Sequence, residues 1–545
     1  MKQFYKQIDT YPKIFLTIIW LLAILIVNPI GDFPLNDDWV YAYSVKELLA
    51  GNWVILDIVS LNLFGQMIWG YLFSAIFGYS YTILRLSVLI LSLITILGAY
   101  QLILDSTKSK NRALLGAILI FFNPIFFSLS FTFMTDVPFL TCCIWALVYY
   151  FRALDLTSIH YNLFLAGLLT FCAASIRQVG LFLPVAYLAY FLIQKRWKIW
   201  ALIPLMITIS GMWLLKHFLG HVHTGQGQIT DLLASLTSIN GLVQAFLRLL
   251  PRLGGVFLFS GLFFFPLILF ATRPLWLTMT TKAKKYLAII SLPLIGILFL
   301  GFAKFPAGNI FYNLGVGPKT LKDAYLIQAN NLTTASSVIW IAINILTLLG
   351  GFLLIFYLLN VIWQLFTNSK IPKKNSFFWL AFLTYLPFIV LLPAFFDRYT
   401  LPLLILMLLG IISGLPKEIS VKFSYKMILP FMILILFSVF STKDYLNWNR
   451  LRWDAIHHLN EKGITFKDIE GGYESSEAWI EQEGEIPLYY DYITSFKKAV
   501  SNRSLEYVIS FGELPNYSVL KKYEYQRFIP FQKEEILILK KNNAD

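Results

Sequence analysis

The chain has 545 residues, of which 58% are hydrophobic and only 14% are charged, and its mean hydropathy is +0.67. Because about a quarter of the residues in a soluble domain are charged, this composition excludes a soluble globular protein, a disordered chain and a disulfide scaffold. The net charge of +14 comes from the part before residue 442, as expected when Lys and Arg collect in cytoplasmic loops. No basic tract with interleaved aromatic residues indicates a nucleic-acid partner. The sequence predicts an all-α polytopic membrane protein.

A transmembrane helix needs about 20 mostly apolar residues, and about 13 segments meet this requirement. The first is interpreted as an anchor, because its long apolar run ends without the small-residue pattern of a cleaved signal peptide. Basic residues fall in every second connection, which predicts a cytoplasmic N-terminus and an external C-terminus. The predicted spans are 13–30, 82–104, 113–131, 137–154, 161–176, 179–193, 199–216, 253–272, 286–303, 336–360, 377–394, 400–414 and 427–441.

The predicted topology leaves one ambiguous segment in the first outer loop, 31–81. Phe64–Ser80 is short for a span and contains Gln66 and Trp69. If it crossed the membrane, the alternation of basic loops would break from that point on. We therefore expect an interfacial or re-entrant helix there. Other outer segments are predicted at 217–252 and 304–335.

The part after the last span has an ordinary charge density and a different pattern. Asn449–Lys462 is helix-like, and Leu505–Phe511 and Glu534–Lys541 alternate between apolar and polar residues. We expect a transmembrane domain over residues 1–441 and a small α+β extracytoplasmic domain over residues 442–545.

Two adjacent carboxylates, Asp37 and Asp38, open a predicted helix that stops at Gly51. One interpretation is that they cap the helix and compensate its dipole. One side chain is enough for a cap, however, so two acids between membrane segments also fit a chemical role.

A third acid, Asp136, lies where an outer loop enters the fourth span, in Thr135-Asp136-Val137-Pro138. It too can be interpreted as a helix start, with Pro138 in the first turn. The predicted topology places it on the same outer face as Asp37 and Asp38. Carboxylates that converge at a membrane boundary indicate an acid–base or cation site.

Several basic residues are candidates for binding an anion on the same face. Arg177 interrupts a long apolar stretch, and it either marks an outer turn or binds an anion. Arg398 either pairs with its neighbour Asp397 or binds an anion, and Lys304 lies in an outer loop. His217, His221 and His223 resemble a metal cluster, but neither nearby acids nor Cys complete a ligand set.

In this order, the motifs resemble the GT-C integral-membrane glycosyltransferases, most closely the protein O-mannosyltransferase and aminoarabinose-transferase-like branch. The resemblance is best over residues 31–180. The motifs are Asp37-Asp38-Trp39-Val40-Tyr41-Ala42, Asn123-Pro124 followed by Ser130 and Thr135-Asp136-Val137-Pro138, and Arg398-Tyr399-Thr400-Leu401-Pro402. The segments Asp444–Arg450 and Ile469–Tyr473 look like the tail of a bacterial subgroup.

The resemblance implies inverting transfer of a sugar from a polyprenyl-phosphate donor to a protein, lipid or glycan acceptor outside the plasma membrane. It assigns catalytic roles to Asp37 or Asp38 and to Asp136, although this chain has Asp-Asp where Asp-Glu is usual. Arg177, Arg398, Tyr399 and Lys304 are the candidates for binding the donor phosphate. A divalent cation is an open alternative for charge stabilisation, and no nucleotide cofactor is expected.

Two other function classes remain open from the sequence. A transporter or flippase of a lipid-linked saccharide would have a similar outer cavity and cationic residues. Charged residues deep in several spans would favour such a transporter, and acids are scarce inside the spans of this chain. A non-catalytic envelope scaffold would present the tail domain and would not need the three outer acids.

Overall fold

The computed structural model describes residues 10–56, 59, 62–155, 158–195, 198–219, 237–269, 281–306, 308–316, 337–368, 373–392, 395–415, 425–472, 474–475 and 506–542. It is a bundle of helices followed by a small four-stranded sheet. The predicted fold class, an all-α polytopic membrane protein with a small α+β C-terminal region, is confirmed.

The helices follow the apolar segments of the sequence. Among the described residues, eight are long and apolar enough to cross a membrane. The helices are α1 (Pro12–Val27), α2 (Asp38–Leu49), α3 (Phe64–Phe77), α4 (Tyr81–Thr107), α5 (Lys110–Phe121), α6 (Pro124–Leu129), α7 (Asp136–Ala153), α8 (Ile159–Ile176), α9 (Phe182–Ile193), α10 (Ile203–Phe218), α11 (Ile239–Phe263), α12 (Thr281–Phe302), α13 (Ser337–Asn368), α14 (Ser376–Leu391), α15 (Leu401–Gly414) and α16 (Tyr425–Glu461).

Some predicted boundaries were wrong. The predicted span 113–131 is broken between α5 and α6, because the Asn123 side chain caps a new helix by accepting from the N–H groups of Ile125 and Phe126. Helix α11 begins at Ile239, inside the predicted outer segment 217–252, with Ser238 as its N-cap. The first turns of α11 contain polar residues, so the apolar pattern of the sequence did not include them in the helix.

The helix that contains the last predicted span extends well beyond residue 441. Helix α16 continues without a break through Asn449 to Glu461, so the predicted domain boundary at 441/442 falls inside a helix. The predicted helical stretch Asn449–Lys462 is the end of this helix rather than an element of its own. One rigid helix therefore connects the membrane bundle to the C-terminal sheet.

The sheet has the strand order β1 (Ile469–Glu470), β2 (Tyr507–Ser510), β4 (Phe531–Lys541) and β3 (Tyr517–Phe528). Strands β3 and β4 form an antiparallel hairpin, and β1 pairs with β2 in parallel. The Asp444 carboxylate on α16 accepts hydrogen bonds from the N–H groups of Phe528 and Ile529. This contact attaches the hairpin to the helix that leaves the bundle.

Two basic residues, of which Arg85 is buried, hold the first outer loop. Arg85 on α4 is 1% exposed and donates to the carbonyl oxygens of Pro29, Gly31 and Phe33 over 2.6, 3.1 and 3.0 Å. Arg450 on α16 donates to the Ile30 carbonyl over 2.8 Å. The chain that leads into α2 is therefore fixed from two helices.

Helix α15 is the central element under the candidate site. Every side chain from Leu401 to Ser413 is buried, so the position of this helix is determined by packing on all sides. Asp397–Thr400 form a short 3₁₀ turn directly before it. The polar residues of that turn are thus held on a rigid support.

Candidate active site

Asp37 does not cap the helix that it precedes. Its side chain makes no capping hydrogen bond at the start of α2, and its Oδ2 instead lies 2.7 Å from Nη2 of Arg398. The Arg398 side chain is 7% exposed, whereas that of Asp37 is 31% exposed. Asp37 is therefore an accessible carboxylate in contact with a buried cation.

Asp38 is in a different environment from its neighbour. It is 1% exposed, and its two oxygens accept from the N–H groups of Leu35, over 2.6 Å, and Phe133, over 3.3 Å. Burial raises the pKa of Asp38 to about 8, although Arg85 and the two N–H groups act in the opposite direction. These contacts tie the first outer loop to the loop before α7.

Asp136 is also ion-paired in the structure. Nη2 of Arg177 lies 2.9 Å from Asp136 Oδ1, and both side chains are buried. Nε of the same guanidinium donates to the Thr135 hydroxyl over 2.9 Å. Arg177 follows the last residue of α8, at an outer turn in the predicted topology, and it holds the start of α7.

The Tyr399 ring lies between the two ion pairs. The guanidinium carbons of Arg177 and Arg398 are 5.7 and 5.6 Å from the ring centroid. Both distances are within the range of cation–π attraction. Asp37 and Asp136 are thus joined by an Arg398–Tyr399–Arg177 bridge, which brings together residues from three distant parts of the chain.

The carboxylate of Asp397 does not pair with the Arg398 guanidinium, which binds Asp37. It accepts from the backbone N–H groups of Ile310 and Phe311, over 3.3 and 2.7 Å. Gly308 lies so close that a Cβ there would come within 2.4 Å of the Asp397 backbone nitrogen. This contact fixes the 308–311 segment against the turn before α15.

Lys304 lies in a separate cavity with two further cations. The cavity has a volume of about 330 Å³ and is lined by Arg248, Arg252, Lys304 and Phe395, together with Pro251, Gly255, Phe259, Gly301 and Phe305. Arg252 donates to the backbone carbonyls of Val390 and Leu392. No ion pair joins Arg248 or Lys304 to an acid among the described residues. Phe395 is three residues from Arg398, so the cavity is next to the carboxylate cluster along the chain.

A second cavity, of about 360 Å³, is apolar. It lies between α11, α13 and α16, and Phe311 and Phe437 form part of its wall together with Pro124, Leu262, Phe263, Ile343 and Leu434. Phe311 also donates its N–H to Asp397. An apolar cavity of this size fits hydrocarbon chains.

Of the three candidate histidines, only His217 lies in the part of the chain that the structure describes. The ring of His217 stacks on Trp213, with 5.4 Å between the centroids, and His221 and His223 lie outside the described residues. No group of three His, Cys, Asp or Glu side chains suited to a metal ion occurs in the described part of the chain.

Several residues of the site were missed from the sequence. Arg85 could have been found as a lone cation in a 27-residue apolar helix. Arg248 and Arg252 were hidden in what was predicted to be an outer loop. Asn36 and Glu474 gave no signal, because their contact joins residues that are 438 positions apart.

Residues 67–219 match the sequence model of the family described as dolichyl-phosphate-mannose-protein mannosyltransferase. The predicted resemblance to the GT-C membrane glycosyltransferases is confirmed. The matched segment includes Asp136 and Arg177. A comparison with curated proteins finds no match.

Two solved GT-C glycosyltransferases resemble the whole chain only loosely. One is the oligosaccharyltransferase AglB from Archaeoglobus fulgidus, in complex with an inhibitory peptide and a dolichol-phosphate, at 14% identity and a TM-score of 0.42; the match covers 88% of this chain and 60% of that one. The other is ArnT from Cupriavidus metallidurans bound to undecaprenyl phosphate, at 12% identity and a TM-score of 0.36, covering 96% and 97%. Likeness at this level does not establish a shared substrate.

Proposed function

We propose that this multi-pass membrane protein is an inverting glycosyltransferase that moves a sugar from a polyprenyl-phosphate donor to an acceptor at the outer face of the plasma membrane. The observation that carries the proposal is the Asp37–Arg398–Tyr399–Arg177–Asp136 cluster, in which Asp37 is the partly exposed acid. The match of residues 67–219 to a mannosyltransferase family supports sugar transfer as the reaction class.

Asp37 fits the role of general base. Among the described residues only Arg398 donates a hydrogen bond to its side chain, to Oδ2, which leaves Oδ1 to accept a proton. In the reaction the acceptor O–H or N–H would attack the anomeric carbon, and its proton would pass to Asp37. The bond between that carbon and the phosphate oxygen would break, and the polyprenyl phosphate would leave as a stable anion.

Asp38 does not fit that role, because it is buried and both of its oxygens bind backbone N–H groups. Its contacts instead assign it to holding the loop. Asp136, buried against Arg177, would set the position of that guanidinium and of the Tyr399 ring.

The leaving phosphate needs stabilisation by positive charge. Arg398 and Arg177 are each paired with a carboxylate, whereas the part of the other cavity wall that the structure describes contains Arg248, Arg252 and Lys304 and no acid. In the predicted topology this cavity is at the outer membrane boundary. We therefore assign the donor phosphate to it, with the apolar cavity beside Phe311 for the isoprenoid chain.

The donor class can be tested directly. Purified protein in lipid nanodiscs is mixed with undecaprenyl-phosphate mannose or with a nucleotide-activated mannose, in the presence of membrane extract as acceptor. Consumption of the lipid-linked sugar alone supports the proposal, and Asp37→Asn is the matched inactive control. Turnover of the nucleotide sugar without carrier lipid would refute it.

A further inference from the structure

The C-terminal region reaches back to the turn that carries Asp37. The backbone N–H of Asn36 donates to Oε1 of Glu474 over 2.9 Å. Glu474 is 7% exposed and lies beyond α16 and β1, in the region that follows the membrane bundle. The residue directly before the accessible acid is thus bound by the C-terminal region.

Glu474 is itself held in place by a buried cation. Its second oxygen, Oε2, lies 2.8 Å from Nη2 of Arg452 on α16. Gly472 leaves room for this guanidinium, since a Cβ there would come within 2.7 Å of Arg452 Nη1, and its φ of +97° favours glycine. The guanidinium also lies 5.1 Å from the Trp448 ring centroid. The carboxylate therefore has a fixed orientation when it meets Asn36.

Asn36 is held by side chains from several parts of the chain. Its φ is +53°, in the left-handed region, which Asn adopts more readily than most other residues with a side chain. Its side chain donates to the Tyr445 hydroxyl over 3.2 Å and accepts from Asn313 over 3.0 Å. Three separate parts of the chain thus determine the conformation of one residue before Asp37.

We propose that Glu474, oriented by Arg452, is a positioning residue that clamps the Asn36–Asp37 turn, so that the C-terminal region forms part of the active site. The inference rests on the proposed role of Asp37 as base. A displacement of about 1 Å in a reacting group can cost on the order of 100-fold in rate. Loss of the clamp would therefore lower turnover although Glu474 touches no substrate.

The structural half of the proposal is tested by hydrogen exchange on the full-length protein in nanodiscs. Glu474→Ala removes the acceptor of the Asn36 amide, and a peptide that covers residues 34–38 should then exchange on the order of 10-fold faster. The matched control is Glu534→Ala, which breaks the buried Arg527–Glu534 ion pair (3.4 Å) of the same region without touching Asn36. Equal exchange in the two variants would overturn the clamp.

The functional half is tested by kinetics with undecaprenyl-phosphate mannose as the probe. Glu474→Ala should lower kcat by roughly 10- to 100-fold and change the donor KM by less than about twofold. The control Glu534→Ala should keep both constants near those of the wild type. The reduction should vanish in the Asp37→Asn background, because a residue that acts through Asp37 has nothing left to position. A reduction in kcat caused by a general loss of folded protein would instead persist in the Asp37→Asn background.

The outcomes separate the inference from the proposed function. If Asp37→Asn is inactive but Glu474→Ala behaves like its control, the clamp is refuted and the base stands. If Asp37→Asn is fully active, the base is refuted, and the exchange data still decide whether the clamp exists. Should Glu474→Ala fail to fold, Glu474→Met, which keeps most of the side-chain volume but has no oxygen acceptor for the Asn36 N–H, should show the same faster exchange on the order of 10-fold; no change would refute the clamp.

Discussion

Nη2 of Arg398 lies 2.7 Å from Oδ2 of Asp37, and these two residues are 361 positions apart in the sequence. The Asp37 side chain is therefore not used as a helix cap, although its place before α2 favours that interpretation. Its neighbour Asp38 turns inward and binds two backbone segments instead. Two identical side chains next to each other thus have different environments, and they should respond differently to the same substitution.

Asp37→Asn should lower turnover by roughly 100-fold or more, because Asn keeps the shape of the side chain but cannot accept a proton. The unfolding temperature should fall less than in Asp136→Asn, since the Asp37 side chain is 31% exposed to water and the amide oxygen still accepts from Arg398. Asp38→Asn should instead lower the unfolding temperature, because an amide has only one acceptor oxygen for the two N–H donors. Rates per folded molecule and thermal unfolding of both variants test this contrast. Full activity of Asp37→Asn would contradict it.

The raised pKa of Asp38 predicts that its contribution to stability depends on pH. The pKa of this carboxyl is about 8 in the folded chain, compared with 3.8 for an exposed aspartate. Its contribution to stability is therefore complete below about pH 4 and is lost as the pH rises through about 8. The stability deficit of Asp38→Asn relative to wild type should shrink between pH 5 and pH 8, as measured by unfolding temperatures. A deficit that grows over this interval would disprove the shift.

The buried Arg177–Asp136 pair should show strong coupling. Removing one partner leaves a buried charge uncompensated, which lowers the free energy of unfolding by roughly 3–5 kcal/mol. Asp136→Asn and Arg177→Met should each destabilise the protein, and the double variant should cost clearly less than the sum of the two. Turnover should fall in all three, because the Arg177 guanidinium beside Tyr399 is either removed or loses the carboxylate that sets its position. Additive changes in the free energy of unfolding would argue against a direct ion pair.

The cationic cavity should determine donor affinity rather than the chemical step. Arg248→Met and Lys304→Met each remove one charge, and each should raise the KM for undecaprenyl-phosphate mannose by roughly 10-fold with kcat changed less than threefold. The KM of the wild type should also rise with salt more steeply than that of either variant. Lys462→Met, at an exposed position just after α16, is the control. A selective loss of kcat would move the donor phosphate out of this cavity.

Local sequence patterns predicted much of the secondary structure but few of the contacts between residues that are distant in the chain. The helix that stops at Gly51 and the strand-like run Glu534–Lys541 follow from short-range propensity. Both are present, as α2 and as part of β4. The Asp37–Arg398 and Asn36–Glu474 contacts depend on how distant helices pack, and no local spacing encodes that. The break before Pro124 was missed because the residues on both sides of it are apolar.

The topology of the first outer loop makes a last prediction. Asp38 Oδ2 accepts from the Phe133 N–H over 3.3 Å, so the chain must cross the membrane an even number of times between these residues. In the predicted topology α4 supplies one crossing and α5 with α6 supplies the second, which leaves none for α3.

The length of α3 agrees with this count. Its 14 residues extend over about 21 Å, less than the roughly 30 Å of a bilayer core. Reporter fusions after Lys110 and Lys285 should therefore be cytoplasmic, and fusions after Ala307 and in the tail should be external. An external reporter after Lys110 would make α3 a span, the Asp38–Phe133 contact would then leave no crossing for α5 with α6, and the predicted topology would be wrong.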